Sequence, residues 1–490
     1  MKNDIVFDLI KSMTQAEKRY FKRHATLHSE KKENKYVRLF DLMAGQNEFI
    51  RSALEKSMDL PNFAQEKRHL YTRLLASLSA FRRGASVDER IGTMLNNHRI
   101  LRQKGARSYA AKELKRAKKL AEDTERYHDL IKISQMETSM YRDETNLKLL
   151  EDHLGERAQL LHLSTASMQL DIEFEIEYLN MVKWNKEIEV VRTPEEAAAL
   201  DKIIEKPIFY LKEESLSSKS KIYKHYIMGL FHFFKNDFTN SGIEFEKQLA
   251  IFTKFPHNRE MNPTLFLRSL GNQCLLSSKR KRHLQFNEDM ETIKLYEPPT
   301  SEGIRYRHYL IHMLEIMTLV DQNDFSGAVN LIESKQEHLQ LHSEANNMWY
   351  IEWMYVCFNT ASAYIGIGDY QQALRYLNEF LNTADPRLKQ DTYCIARVIN
   401  LLLHFELDNR DLLEHQLEST KRYLKSRKRL FKFERAVLQF IRKSLNETTA
   451  GNSGPFRWLK KELAQIQKDP LEKNVFAYFN FMPWLDRKVD

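Results

Sequence analysis

Glycine and proline are scarce, with 14 and 11 copies in 490 residues, where ordinary usage is about 7% and 5%. Nucleotide-binding and strand-rich folds spend both residues on phosphate loops and tight turns, so those architectures are disfavoured. Cysteine is scarcer still. Cys274, Cys357 and Cys394 are an odd number with no Cys-x-x-Cys pair, which leaves neither a disulfide framework nor a zinc ribbon to read. No segment approaches the roughly 18 uninterrupted apolar residues of a membrane span. The opening "MKNDIVFDLIKSM" carries acids inside its short apolar run and lacks a small-residue cleavage site. A cytoplasmic protein in a reducing compartment is expected.

Charged residues make up 29% and hydrophobic ones 42% of the chain, the balance of amphipathic helices that keep one face in water. An all-α fold is expected. The net charge of +9 is a mild bias over this length; it permits contact with nucleic acid but specifies no fold. At about 150 residues per domain, the length suits either about three units or one continuous stack of repeats.

Residues 1–85 read as an N-terminal helical module. Within it Thr14 and Glu17 form a capping box, and Asn62 opens the helix "NFAQEKRHLYTRLLASLSAFRR". Residues 86–214 read as long helices, with Ala111, Leu114, Ala117 and Ala121 spaced along one face beyond a turn at Gly105. "DIEFEIEY" (Asp171 to Tyr178) alternates like a strand. Leu170, Phe174, Tyr178 and Met181 also share one helical face, and a lone strand would have no partner, so helix is the prediction. The serine-rich "ESLSSKS" from Glu214 to Ser220 marks a joint before a solenoid over 215–445. "NETTAGNSGP" (Asn446 to Pro455) then leads into a closing segment over 446–490, a capping helix with the aromatic tail "NVFAYFNFMPWL".

Inside 215–445 a helix, a turn and a second helix recur around Asn236-Asp237-Phe238, Asn323-Asp324-Phe325 and Gly368-Asp369-Tyr370, with a fainter copy near Asn409. Phe238 and Phe325 are 87 residues apart and Phe325 and Tyr370 are 45, so one further unit is predicted in the first gap, with Pro263 at its first helical position. A period of about 40–45 residues implies paired helices. Each pair has an apolar face too broad to bury alone, so neighbours must stack.

These residues resemble the tetratricopeptide repeat family. Gly368, Asp369, Tyr370 and Ala373 match its turn and the small residue that follows, and Pro386 matches its closing proline one position late. Phe325 and Ala328 match in the preceding unit; around Phe238, Gly229 and Phe245 match while Ser241 replaces the alanine. The first-helix tryptophan and leucine positions are not kept, and the period exceeds the family's. The resemblance covers roughly 220–386. It implies an α-solenoid whose inner surface, lined by first helices, grips a peptide or a partner's helix. The positions carried over are Tyr223, Tyr226, Leu310, Met313, Met317, Tyr355 and Phe358. An apolar, methionine-bearing groove would follow. The same residues at helical spacing also read as ordinary core.

Other chemistry is thin. His308, His312 and Glu315 share a helix face, and His338 and His342 form a second pair, but neither contains His-Glu-x-x-His. Gly366 and Gly368 lack a third glycine, Gln371 standing in its place, and no Walker loop or Gly-x-Ser-x-Gly elbow occurs. No catalytic residue, metal site or cofactor is expected, and the chain is read as not an enzyme. Basic clusters are more pronounced. His98 to Lys119 holds nine Lys/Arg against one Glu, Lys421 to Arg435 eight against one, and "SKRKRH" adds a third. Such clusters suit phosphate backbones. Long helices also keep such faces simply solvated. A helix-turn-helix with Gln65, Lys67, Arg68 and Arg73 on its reading helix is the form this alternative takes. The leading expectation is a protein-interaction scaffold that binds a peptide or helix on a concave face; the competing one is a nucleic-acid-binding regulator with a repeat sensor.

Overall fold

A computed structural model describes residues 4–26, 35–58, 62–82, 84, 86–141, 146–335, 350–383, 385–446 and 454–489. Among the described residues there are 24 α-helices and no strand. The fold is all-α, an α-solenoid of stacked antiparallel hairpins. Its contacts divide it into two compact units, Met1–Ala166 and Ser167–Asp490.

The first unit begins with α1 (Ile5–Ser12), α2 (Gln15–Thr26), α3 (Lys35–Gly45), α4 (Arg51–Met58) and α5 (Phe63–Phe81). The Glu17 backbone N–H donates to Thr14 Oγ1 at 3.2 Å and the Thr14 N–H to Glu17 Oε2 at 2.8 Å, which satisfies two donors the helix start would otherwise orphan. Ile10, Phe21, Phe40, Met43, Leu70 and Leu74 close one core. A second core joins α6 (Val87–Gln103), α7 (Arg107–Asp123) and α8 (Tyr127–Tyr141) through Ile91, Leu95, Leu114, Ala117, Ala121 and Ile133. Ala110, one residue before the expected Ala111, takes the buried position.

Helix α9 (Leu147–Glu187) starts in the first unit and ends in the second. The Asp171–Tyr178 stretch lies within it. Phe174 is buried and Leu170 and Tyr178 pack on the same core, while Ile172 and Ile176 face out, so the helical face governs and the alternation is incidental.

In the second unit α10 (Pro194–Ile204) precedes hairpins built from α11 (Ser218–Phe234) and α12 (Phe238–Lys254), then, after the short α13 (His257–Met261), α14 (Pro263–Lys279) and α15 (His283–Leu295). There follow α16 (Ser301–Asp321) with α17 (Phe325–Ser334), α18 (Tyr350–Ile367) with α19 (Tyr370–Thr383), α20 (Gln390–Glu406) with α21 (Arg410–Ser426), and α22 (Lys432–Asn446) with α23 (Gly454–Ile466). The chain closes on α24 (Met482–Val489). The unit predicted between Phe238 and Phe325 is α14–α15, with Pro263 opening it. Each second helix also packs on the next first helix at α12–α14, α17–α18 and α19–α20, and first helices contact each other at α14–α16 and α16–α18.

The backbone carries the repeat more faithfully than the side chains do. Asn236, Lys281, Asn323, Gly368 and Asp408 all adopt positive φ, from 54° to 85°, two residues before the second helix. At each, the same pair of bonds closes the turn: Asn236 N–H to Phe233 O and Asp237 N–H to His232 O, both 2.9 Å, recur as Gly368 to Ile365 O (3.1 Å) and Asp369 to Tyr364 O (3.0 Å). This double bond caps the first helix's last carbonyls. Only Gly368 meets the geometry without steric cost; the left-handed conformation costs an ordinary residue about 1–2 kcal/mol.

Small side chains set the approach of the hairpins. A methyl on Gly229 would lie 2.8 Å from the Phe245 ring, and one on Gly366 would overlap the Phe325 ring of the preceding unit. Ala328 and Ala373 are fully buried. Ser241 serves in the alanine position by donating its hydroxyl to Gly229 O at 2.8 Å.

The serine-rich stretch from Glu214 to Ser220 is bonded to the helix before it. Ser217 caps α11, and its hydroxyl and that of Ser220 (2.6 Å) both donate to the buried Asp171 carboxylate of α9. Side chains from 170–209 share the core of α11–α16. Of the second linker, 447–453 lie outside the described residues, and Pro455 is already within α23. Phe481, Trp484 and Leu485 join the core of α18–α23.

Candidate functional site

The second unit closes on itself. Glu189, at 8% exposure, accepts from Thr392 and Tyr355 hydroxyls and pairs with Lys389 at 3.3 Å. Lys389 also donates its backbone N–H to Lys186 O (2.7 Å) and its ammonium to Asn185 Oδ1 (3.0 Å). Three residues beyond Glu189, the Arg192 guanidinium grips Glu434 with two bonds, 2.7 and 3.2 Å, and reaches Glu472 at 3.4 Å. Arg192 and Glu434 side chains are wholly buried. Arg429 bonds Glu196 and stands 3.5 Å from Asp391, while Asn474 donates to Val191 O at 2.6 Å. The end of α9 is thus tied to α20, α22 and the C-terminal segment.

The ties of Glu189 and Lys389 border a partly open cavity of about 340 Å³, within the range of small-ligand pockets. Helix α11 contributes Tyr226 and Phe233, α16 contributes Tyr306, Tyr309, Leu310, Met313 and Met317, and α18 contributes Tyr355, Phe358 and Asn359. From α14 come Arg268, Gly271, Asn272 and Lys279; from the end of α9, Asn185, Lys186 and Glu189. Tyr478 of the tail completes the wall, so the tail's edge faces the cavity while its anchors Phe481 and Trp484 lie in the neighbouring core. Burial raises the Tyr226 and Tyr478 phenols well above the ordinary tyrosine range, so both stay neutral.

Of the seven groove positions, the structure brings six together here: Tyr226, Leu310, Met313, Met317, Tyr355 and Phe358. Tyr223 lies outside the cavity, its ring stacked on Tyr178 of α9 at 5.0 Å between centroids. Among the packing positions, Phe238 also reaches the cavity, and Tyr370 packs on the core of α18–α23, with Lys488 over its ring. Sequence reasoning missed Arg268, Asn272 and the whole tie from Glu189 to Arg192. The signal for the first two was available, since they lie one helical turn apart on the first helix of the unit inferred from spacing.

Elsewhere, His312 Nδ1 stands 3.8 Å from Glu315, and His308 lies beside Arg307. No three His, Cys, Asp or Glu side chains converge as a metal would need among the described residues, and His338 and His342 lie outside them. On the helix proposed to read DNA, Lys67 pairs with Asp4 at 2.5 Å and Arg73 covers the Tyr36 ring at 4.7 Å, while Gln65 and Arg68 face out. The turn before it includes 59–61, outside the described residues. The α6–α7 basic cluster keeps Arg102, Lys104, Arg107, Lys112, Lys115 and Arg116 exposed; in the second cluster Arg429 is buried against Glu196 and Lys432 pairs with Asp469 at 2.6 Å. In the third, Lys279 pairs with Asp321. Among the described residues no helix is long and apolar enough to cross a membrane.

No family model matches the chain, and no curated protein matches it. Among solved structures, a crystal structure of NprR in complex with its cognate peptide NprX is similar over 74% of this chain and 92% of that one, at 13% identity and a TM-score of 0.36. That score is too low to match residues between the two chains. The fold, all-helical and hairpin-based, is compatible with tetratricopeptide-like repeats.

Proposed function

We propose that the second unit is a non-enzymatic binding module that takes an extended peptide segment into its partly open cavity, in a cytoplasmic protein whose task is recognition. The observation that carries this is the lining itself. First helices of four successive hairpins line one space, three of them (α11, α16 and α18) with aromatic or methionine side chains, and Asn185, Asn272 and Asn359 stand among them. An amide side chain both donates and accepts, which matches a peptide bond, and the apolar wall accepts side chains. An extended segment suits this geometry better than a docked helix, which needs an open trough, because the bonds at Lys389 and Asn474 bridge the concave side.

The test is affinity selection of a random hexapeptide pool by the full chain, read by mass spectrometry, beside an Asn272→Trp variant that fills the cavity. Enrichment by the parent chain alone supports the module. Equal recovery by both sinks it. Retention on duplex DNA that persists into high salt would instead favour the regulator reading, through the exposed α6–α7 face.

A further inference from the structure

Aligned on their left-handed turn residues Asn236, Lys281, Asn323 and Gly368, the four first helices can be compared position by position. At one such position α11, α16 and α18 carry Tyr223, Leu310 and Tyr355; α14 carries Arg268. At the next, the others carry Tyr226, Met313 and Phe358; α14 carries Gly271, against which Leu310 packs so closely that a methyl would lie 2.8 Å from its Cδ1. One residue on, Asn272 of α14 has Ile227 and Leu314 as counterparts, and Asn359 in α18. Helix α14 thus departs from the others with a cation and a gap, beside an amide that it shares with α18.

The cation has no carboxylate partner among the described residues. Four basic side chains line the cavity against the single carboxylate of Glu189. Lys279 is paired with Asp321 at 2.7 Å and Lys389 with Glu189, and Lys186 sits at the exposed edge. Arg268 is half-buried over the Tyr306 ring, 5.8 Å from its centroid, and hydrogen-bonds that tyrosine; no carboxylate among the described residues pairs with it. Its neighbours Tyr226 and Tyr306 are phenols, and Asn272 bonds Tyr226, so no local charge neutralises it. A guanidinium in such surroundings favours a planar anion it can hold with two parallel bonds.

We infer that the cavity recognises an organic anion: a carboxylate or comparable group set on Arg268 and Asn272, carried by an apolar or aromatic body lying against Tyr306, Met313 and Phe358. This rests on the cavity being the binding site and adds the charge of what enters it. The carboxylate could be a peptide's free C-terminus or belong to a small organic acid; both present the same group.

The experiment uses two fluorescent probes of similar shape, anilinonaphthalene sulfonate, which is anionic, and the uncharged N-phenylnaphthylamine, titrated into the full chain and into Arg268→Met, Arg268→Lys and Asn272→Trp variants. Expected is a preference for the anionic probe that falls roughly ten- to a hundredfold in Arg268→Met, the loss of one charge-assisted contact. The neutral probe should be unmoved, and Arg268→Lys should retain most of the preference. Both probes binding alike, indifferent to Arg268→Met yet expelled by Asn272→Trp, would overturn the anion while leaving the cavity reading intact. Indifference to Asn272→Trp would overturn both. Equal loss in Arg268→Lys and Arg268→Met with unchanged melting would also refute the charge argument. Displacement of the anionic probe by a random tripeptide pool with free C-termini, and not by its amidated counterpart, assigns the anion to a peptide end; displacement by octanoate alone assigns it to a small acid.

Discussion

Replacing Arg192 by methionine should be among the most damaging single changes in the second unit. The guanidinium is fully buried and bonds Glu434 twice and Glu472 once. Methionine fills much of the same volume, so the loss is chiefly electrostatic. Glu434 would keep only the Phe431 N–H at 3.2 Å, while Glu472 keeps the Lys432 N–H at 2.9 Å. Breaking one side of a buried pair costs about 3–5 kcal/mol because the remaining charge is stranded. Removing both charges in Arg192→Met/Glu434→Leu should recover most of that, since a packed apolar pair in such a site is often neutral or better. The assay is urea unfolding read by tryptophan fluorescence. Trp184, Trp349, Trp353, Trp458 and Trp484 all fall within Ser167–Asp490, so the signal reports that unit alone. An Arg192→Met cost under about 1 kcal/mol, the range of exposed pairs, would refute the account. So would a double variant as unstable as the sum of the singles.

Three further outcomes follow from the packing. Gly366→Ala should destabilise by about 1–3 kcal/mol through overpacking against Phe325, and Phe325→Leu in the same chain should relieve part of that; additive losses in urea melts would contradict the contact. Gly368→Ala should cost about 1–2 kcal/mol from its φ of 85° alone, as no atom lies near the new methyl, whereas Lys281→Gly should be neutral or stabilising; a thermal-melt series showing the reverse order would dismiss the shared turn geometry. Asp391 is fully buried with neither carboxylate oxygen hydrogen-bonded, and burial pushes its carboxyl up to about 7 despite Arg429 and Arg192 nearby. The folded state therefore holds a proton the unfolded chain has released, so its contribution to stability falls as pH rises from the usual carboxylate range to about 7 and is flat above. Asp391→Asn should remove that slope, gaining on the parent chain at pH 8 relative to pH 5; parallel stability profiles would show that Asp391 is ionised throughout.

How much of this was legible in the sequence depends on how local each cause is. The hairpin period was readable because a turn and its flanking apolar faces lie within about 40 residues, and even α14–α15 could be placed by spacing alone. The strand-like alternation at Asp171 was resolved by one helical face, for the same reason. Closure of the second unit was not readable. Arg192 and Glu434 are 242 positions apart, and a single arginine among 76 basic residues carries no mark of burial. The same limit placed Tyr223 on the groove: its register was right for an inner surface, but Tyr178 of α9 comes from outside the repeat and covers it. Arg268 escaped for a different reason. The family's turn residues are missing from its hairpin, Lys281 standing where Gly368 stands two units later, so residue identity gave no register in which Arg268 looked out of place. The backbone turn supplies that register. Counted from it, Arg268 and Gly271 depart together from the inner face the other first helices share, beside the amide that Asn272 has in common with Asn359, and such a departure aimed at one cavity is better explained by what the cavity holds than by how the stack folds.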